Sequence, residues 1–89
     1  MTKKQLIEQV SRKAHLTKRG ATEAVETFLG EIQRALTKGD RVIISGFGTF
    51  FVDQLKKKKM FLRGKEEEIP SHRAPKFHAG KTLKRVVRR

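Results

Sequence analysis

Four consecutive lysines, Lys56 to Lys59, run into three apolar residues, Met60-Phe61-Leu62. Arg63, Gly64 and Lys65 follow, and then three consecutive glutamates, Glu66 to Glu68. A cationic extended segment that turns and comes back suits phosphate recognition, because a two-stranded ribbon presents cations on both sides while it lies in a groove. Along such a strand Lys56 and Lys58 point one way and Lys57 and Lys59 the other. A turn centred on Leu62-Arg63-Gly64 predicts Lys58 opposite Glu68 and Lys59 opposite Glu67, pairs worth about 0.2–1 kcal/mol each. The three apolar residues are expected at the exposed end, where they can act as a wedge between base steps.

Reaction chemistry finds no comparable constellation. Cysteine, tyrosine and tryptophan are absent, and His15, His72 and His78 have no metal-ligand spacing. They are expected in a turn, a strand and a helix entry. Glu66 to Glu68 alternate faces on a strand, so they do not form an acid–base pair. Ser11, Ser45 and Ser71 lie in no nucleophile motif. The sequence predicts a binding protein with no catalytic residue, no metal, no cofactor and no small-molecule substrate.

Charge supports that reading. The 89 residues carry 22 Lys plus Arg against 9 Asp plus Glu, a net +13. Residues 1–55 hold nine basic and six acidic groups, a net +3, whereas residues 56–89 hold thirteen and three, a net +10. Solubility alone needs roughly 2–8 charges on a small domain, so the asymmetry predicts a polyanion surface. A chain of this length buries only about 60% of its unfolded surface. Without cysteine, association with a second copy is the remaining common way to enlarge the core. The N-terminus lacks the apolar stretch of a signal peptide, and no segment approaches the ~18 apolar residues of a membrane span. A soluble protein that stays where it is made is expected, with no membrane partner.

The elements that position the basic segment follow from periodicity. Thr2 and Gln5 form a capping-box pattern ahead of Leu6, Ile7, Val10 and Ala14, predicting a helix over about 3–14. His15-Leu16 make a turn and Thr17 caps a second helix. Its apolar face runs through Ala21, Ala24, Val25, Phe28, Leu29, Ile32 and Leu36, and Gly39 stops it. Residues 41–45 and 49–55 read as strands joined by a Gly46-Phe47-Gly48 turn. Lys56 to Lys59 continue the extended run, Met60 to Gly64 form the tip, and Lys65 to Ile69 return. Pro70 weakens the strand, Ser71 to Phe77 rejoin the sheet, and a short final helix occupies about 79–89. Free N–H groups near Ala79-Gly80-Lys81 favour a phosphate, reinforced by Lys81, Lys84 and Arg85.

Taken together these blocks resemble the HU/IHF family of bacterial histone-like DNA-binding proteins. The resemblance is carried by Lys3-x-Gln5-Leu6-Ile7, Gly39-Asp40, Gly46-Phe47-Gly48-Thr49-Phe50 and Pro75-x-Phe77-x-x-Gly80-Lys81-x-Leu83-Lys84. It implies an α+β fold forming an intertwined dimer. Two N-terminal helices form the base, a three-stranded antiparallel sheet with a protruding hairpin arm sits above, and a short C-terminal helix closes the chain. The whole of 1–89 is then one domain: a helical dimerisation base to about 39, sheet and arm over about 40–77, and the last helix. A dimer core of Phe28, Ile32, Phe47, Phe50 and Phe77 is implied, in a homodimer or a heterodimer with a paralogue.

The partner implied is double-stranded DNA, held in the minor groove in the cytoplasmic nucleoid. Expected contacts are Lys3, Lys56, Lys57, Lys58, Lys59, Met60, Phe61, Leu62, Arg63, Lys65, Arg73, Lys76, Gly80, Lys81, Lys84 and Arg85. The family's arm tip carries an intercalating proline. Here the arm is about two residues shorter, and neither Pro70 nor Pro75, both on the return path, can take that place. Either Met60, Phe61 or Leu62 supplies the wedge, or DNA is bound with little sharp kinking.

The function expected is architectural: largely sequence-independent binding that organises, compacts or bends DNA. A sequence-selective bender reading deformability, or a DNA-coating and bridging protein, are the alternatives. Single-strand or RNA binding has only Phe61 as a stacking surface in the arm.

Overall fold

The computed structural model describes all 89 residues, Met1–Arg89. Helix α1 spans Lys3–Lys13 and opens on the expected capping box. The Thr2 hydroxyl accepts from the Gln5 N–H at 3.2 Å, and the Thr2 N–H donates to the Gln5 side chain at 2.8 Å. His15 ends the helix in the left-handed region, at φ 56°, while the Leu16 N–H donates to the Ser11 carbonyl. Helix α2 runs Lys18–Thr37, and Thr17 accepts from the Gly20 N–H at 3.0 Å, a side-chain N-cap.

Gly39, at φ +84°, closes α2. Its N–H donates to the Leu36 carbonyl and that of Asp40 to the Ala35 carbonyl, the paired bonds of a Schellman stop. The chain divides into two compact units, Met1–Arg34 and Ala35–Arg89. In the first, Lys3 pairs with Glu26 at 2.6 Å.

The second unit holds a three-stranded antiparallel sheet of β1 (Val42–Ile44), β2 (Gly48–Leu55) and β5 (His72–Ala79), with β2 in the centre. The turn between β1 and β2 is Ser45-Gly46-Phe47, not Gly46-Phe47-Gly48. Gly46 takes φ +79°, and the Phe47 N–H returns to the Ile44 carbonyl at 3.0 Å. Gly48 is already in β2, opposite Ala79. A Cβ there would lie 2.6 Å from both the His78 carbonyl and the Phe77 ring, so only glycine lets β5 approach so closely.

Phe50 lies opposite Phe77 with ring centroids 4.7 Å apart, and Phe47 stacks on Phe77 at 5.5 Å. Such pairs add about 0.5–1.5 kcal/mol each beyond area burial. The returning strand starts later than expected and extends to Ala79, so His78 belongs to β5 rather than to a helix entry. Pro75 sits in an edge strand, where a missing donor is tolerated.

The basic segment does not continue β2. Pairing stops after Leu55 opposite His72 and resumes with Lys58 opposite Ile69. The two pairs belong to one register, with two residues skipped on each strand. Pro70 lies in the gap and has no N–H to donate. Side chains bridge it instead: Gln54 Nε2 donates to Ser71 Oγ at 2.8 Å, and Ser71 Oγ donates to the Leu55 carbonyl at 3.0 Å. Beyond the gap, β3 (Lys58–Leu62) and β4 (Lys65–Ile69) form a separate two-stranded sheet, here called the arm. Helix α3 (Lys81–Val87) ends the fold.

Apolar side chains are left open across the chain. Ala21 is the only buried hydrophobic residue, while Phe28 is 56% exposed and Phe47 and Phe77 are above 40%. Ile32 and Phe50 are half-buried.

Candidate nucleic-acid interface

The arm turns more tightly than the sequence predicts. Leu62 faces Lys65 across a two-residue loop of Arg63 and Gly64, both left-handed at φ 53° and 76°. Two positive φ values make a type I′ turn, whose twist matches that of paired strands. This shifts the register by one residue. Lys59 lies opposite Glu68, Met60 opposite Glu67 and Phe61 opposite Glu66, so Lys58 does not face Glu68 and Lys59 does not face Glu67. Met60, Phe61 and Leu62 are residues of β3, and the tip itself is Arg63-Gly64.

Alternation along these strands sorts the arm into two unlike faces. One carries Lys59, Phe61, Glu66 and Glu68. Lys59 reaches diagonally to Glu66 at 3.9 Å, and Lys57, from the gap, meets Glu68 at 2.5 Å. Phe61, 76% exposed, stands on the tip side of these ion pairs, opposite Glu66. The other face carries Lys58, Met60, Leu62, Lys65, Glu67 and Ile69. Its outer end is a concavity of 550 Å³ lined by Leu62, Arg63, Lys65 and Glu67. Towards the gap, Met60 and Ile69 join Leu55 and His72 in an apolar groove of 460 Å³ rimmed by Lys56, Lys57 and Lys58. Met60 and Ile69 are half-buried there, whereas Leu62 is 48% exposed.

A second cationic surface lies on α3. Gly80 is its N-cap, with extended backbone and no capping side chain. The Gly80 N–H is spent on the Phe47 carbonyl at 2.9 Å, so this glycine fixes the start of α3. A Cβ at Gly80 would meet that carbonyl at 3.2 Å. Lys81, Lys84, Arg85, Arg88 and Arg89 line one concavity of 460 Å³. Spacings of three and four along a helix bring them to one side. Arg88 and Arg89 complete this cluster and were not among the expected contacts; the same spacing, continued past Lys84, was the signal for them.

Three expected contacts have other surroundings. Arg73 Nη2 donates to the carbonyls of Leu36 and Thr37 at 3.1 and 3.3 Å, capping the last turn of α2. Register puts Arg73 on the sheet face that bears Phe50 and Phe77, and Lys76 on the opposite face beside Phe51 and His78. Lys76 is exposed. Lys3 is engaged by Glu26. No group of three or more His, Cys, Asp or Glu residues could hold a metal ion, and no helix is long and apolar enough to cross a membrane.

Comparison with known proteins places this geometry. A family model described as bacterial DNA-binding protein matches residues 1–88. The DNA-binding protein HU of Staphylococcus aureus is 41% identical over 90 residues, spanning 99% of this chain and all of the relative. The HU protein of Geobacillus stearothermophilus is 40% identical over the same span. Among solved structures, Anabaena HU in a cocrystal with DNA superimposes with a TM-score of 0.92 at 34% identity, covering 98% of this chain and 97% of that one. HU from Thermotoga maritima gives 0.73 at 36% identity and covers 98% of both. The chain therefore belongs to the bacterial DNA-binding protein family in which the HU proteins are found.

Proposed function

We infer that this chain is a histone-like architectural protein that binds double-stranded DNA largely without sequence preference, as a dimer, in the bacterial nucleoid. Whole-chain similarity to an HU protein held with DNA is the observation that carries this reading. The charge distribution supports it independently, since residues 56–89, which include the arm and α3, carry +10 of the net +13. As a member of this family the chain acts by binding and shaping DNA rather than by catalysis. Residues 1–89 work as one DNA-binding domain.

Dimerisation is supported by the exposed Phe28, Phe47 and Phe77 and the half-buried Ile32 and Phe50. One buried hydrophobic residue, Ala21, is too small a core for a stable monomer, and a second copy would cover those rings. A homodimer satisfies this; a paralogue with the same apolar face would also serve.

Two surfaces grip phosphate in this reading. The α3 cluster of Lys81, Lys84, Arg85, Arg88 and Arg89 contacts the backbone, with Gly80 setting its position and Lys76 adding to it. The arm contributes Lys56, Lys58, Arg63 and Lys65, while Lys57 and Lys59 stay paired with their glutamates. Arg73 and Lys3 are left out of this set because each is engaged within the fold. Affinity should fall with salt at about 0.9 log units per phosphate contacted for each tenfold rise. Titrating a fluorescent 20-base-pair duplex between 50 and 200 mM salt tests the reading, and a flat response would end it. A random and a selected duplex compared at one salt concentration separate this from a sequence-selective bender.

If the arm kinks DNA, Leu62 is the residue placed to do it. It flanks the tip between Arg63 and Lys65, whereas Met60 is tucked into the groove and Phe61 stands directly beside Glu66. Leu62→Ala should then reduce bending in a ring-closure assay by severalfold while changing affinity little. Equal ring closure by the variant and the native protein leaves a straight-binding arm.

A further inference from the structure

On a chain of net charge +13, two copies repel almost wherever they meet. The Phe61 face of the arm is different. Its four charges, Lys57, Lys59, Glu66 and Glu68, sum to zero and are arranged as two ion pairs. Next to them, toward the tip, Phe61 is 76% exposed, the most exposed large apolar side chain after the N-terminal Met1. An apolar anchor beside a strip of balanced charge has the form of a small protein-contact surface. It suits DNA poorly, because Glu66 lies directly across from Phe61 and would be carried against phosphates with it.

We propose that the Phe61 face docks on the same face of a second copy's arm, so that two DNA-bound dimers are joined arm to arm. The occupant follows from charge. Placed face to face about a two-fold axis, each arm offers lysines to the other's glutamates and a ring to the other's ring, so the surface is complementary to itself. An aromatic pair contributes about 0.5–1.5 kcal/mol beyond area burial, too little to join two free cationic proteins. Bound DNA cancels the repulsion and holds the arms at high effective concentration, which turns a weak contact into a stable bridge. The contact therefore forms on DNA and not in free solution. It rests on the duplex-binding reading above, and it uses the arm face that the Arg63, Lys65 and Leu62 contacts leave free.

The test is a bridging assay, with one duplex on beads, a second labelled duplex in solution, and the affinity for a single short duplex measured in parallel. The native protein should capture the second duplex. Phe61→Ala should reduce capture at least tenfold and leave single-duplex affinity within twofold. Phe61→Lys should abolish capture while raising single-duplex affinity, a split that misfolding would not produce. Glu66→Lys with Glu68→Lys should behave likewise, since the strip then repels itself. Parallel loss of capture and single-duplex affinity in Phe61→Ala would overturn the proposal, because Phe61 would then sit in DNA. Unchanged capture in that variant overturns it too, as does a native protein that binds single duplexes without bridging them. Failure of the native protein to bind the single duplex would instead remove the duplex-binding reading, and this proposal with it.

Discussion

The three-stranded sheet and the arm are built from one hairpin in one register, yet they are held together by different forces. In the body sheet the central pair is Phe50 opposite Phe77, with Phe47 stacked alongside, and the strands approach so closely that position 48 admits only glycine. In the arm the cross-strand contacts are Lys57 with Glu68 and Lys59 with Glu66, all at least half exposed. The body sheet relies on apolar contact, which salt does not screen. The arm has no second layer to pack against, and it substitutes charge pairs that salt screens and phosphate can compete for. Both sheets hold a hairpin, but only the arm does so with exposed charge pairs.

The largest effect that would sharpen this contrast is expected in the body. Gly48→Ala should cost roughly 1–3 kcal/mol through forced separation of β2 and β5, seen as a lower thermal midpoint. An unchanged midpoint would mean the strands are not in tight contact. In the arm, Glu66→Gln with Glu68→Gln should leave that midpoint alone and tighten duplex binding by about tenfold at 0.1 M salt. It should also steepen the salt dependence by nearly one log unit per lysine freed. Weaker binding would show that the glutamates position the lysines rather than compete for them.

Turn chemistry gives a smaller effect. Arg63→Gly relieves a left-handed non-glycine residue worth about 1–2 kcal/mol, so amide protection along β3 and β4 should rise even though a cation is lost from the DNA-binding set. The smallest effect is that of salt itself. Raising it from 50 to 500 mM should lower arm protection by about 0.2–1 kcal/mol per ion pair and leave β2 and β5 unaltered. Equal losses in both sheets would erase the distinction.

What was legible in the sequence divides along the same line. Both helices start where their capping residues predict, because Thr2, Gln5 and Thr17 act on N–H groups only three residues away. The stop at Gly39 is equally local. The exposed rings were legible as apolar positions, although sequence alone gives no partner to cover them. The arm register was not legible, since the competing alignments differ by ion pairs worth a few tenths of a kcal/mol. An Arg-Gly loop with two left-handed residues is also an uncommon choice. Nor was the role of Arg73, whose partners at Leu36 and Thr37 lie more than thirty-five residues away. From sequence it was one more cation in a basic half; in the structure it is a helix cap.

The gap at Lys56-Lys57 and Pro70-Ser71 has a consequence for how such arms change length. Pairing is interrupted there without slipping, so the arm stays in phase with the sheet. Residues can be added or removed beyond the gap only as matched pairs, one from each strand. Each pair moves the tip by about 3.4 Å, and an unmatched change would exchange the two faces of every residue on one strand. Reach in this architecture is therefore quantised. A designer wishing to span a wider groove should insert residues two at a time, and test first the pair next to Leu62 and Lys65.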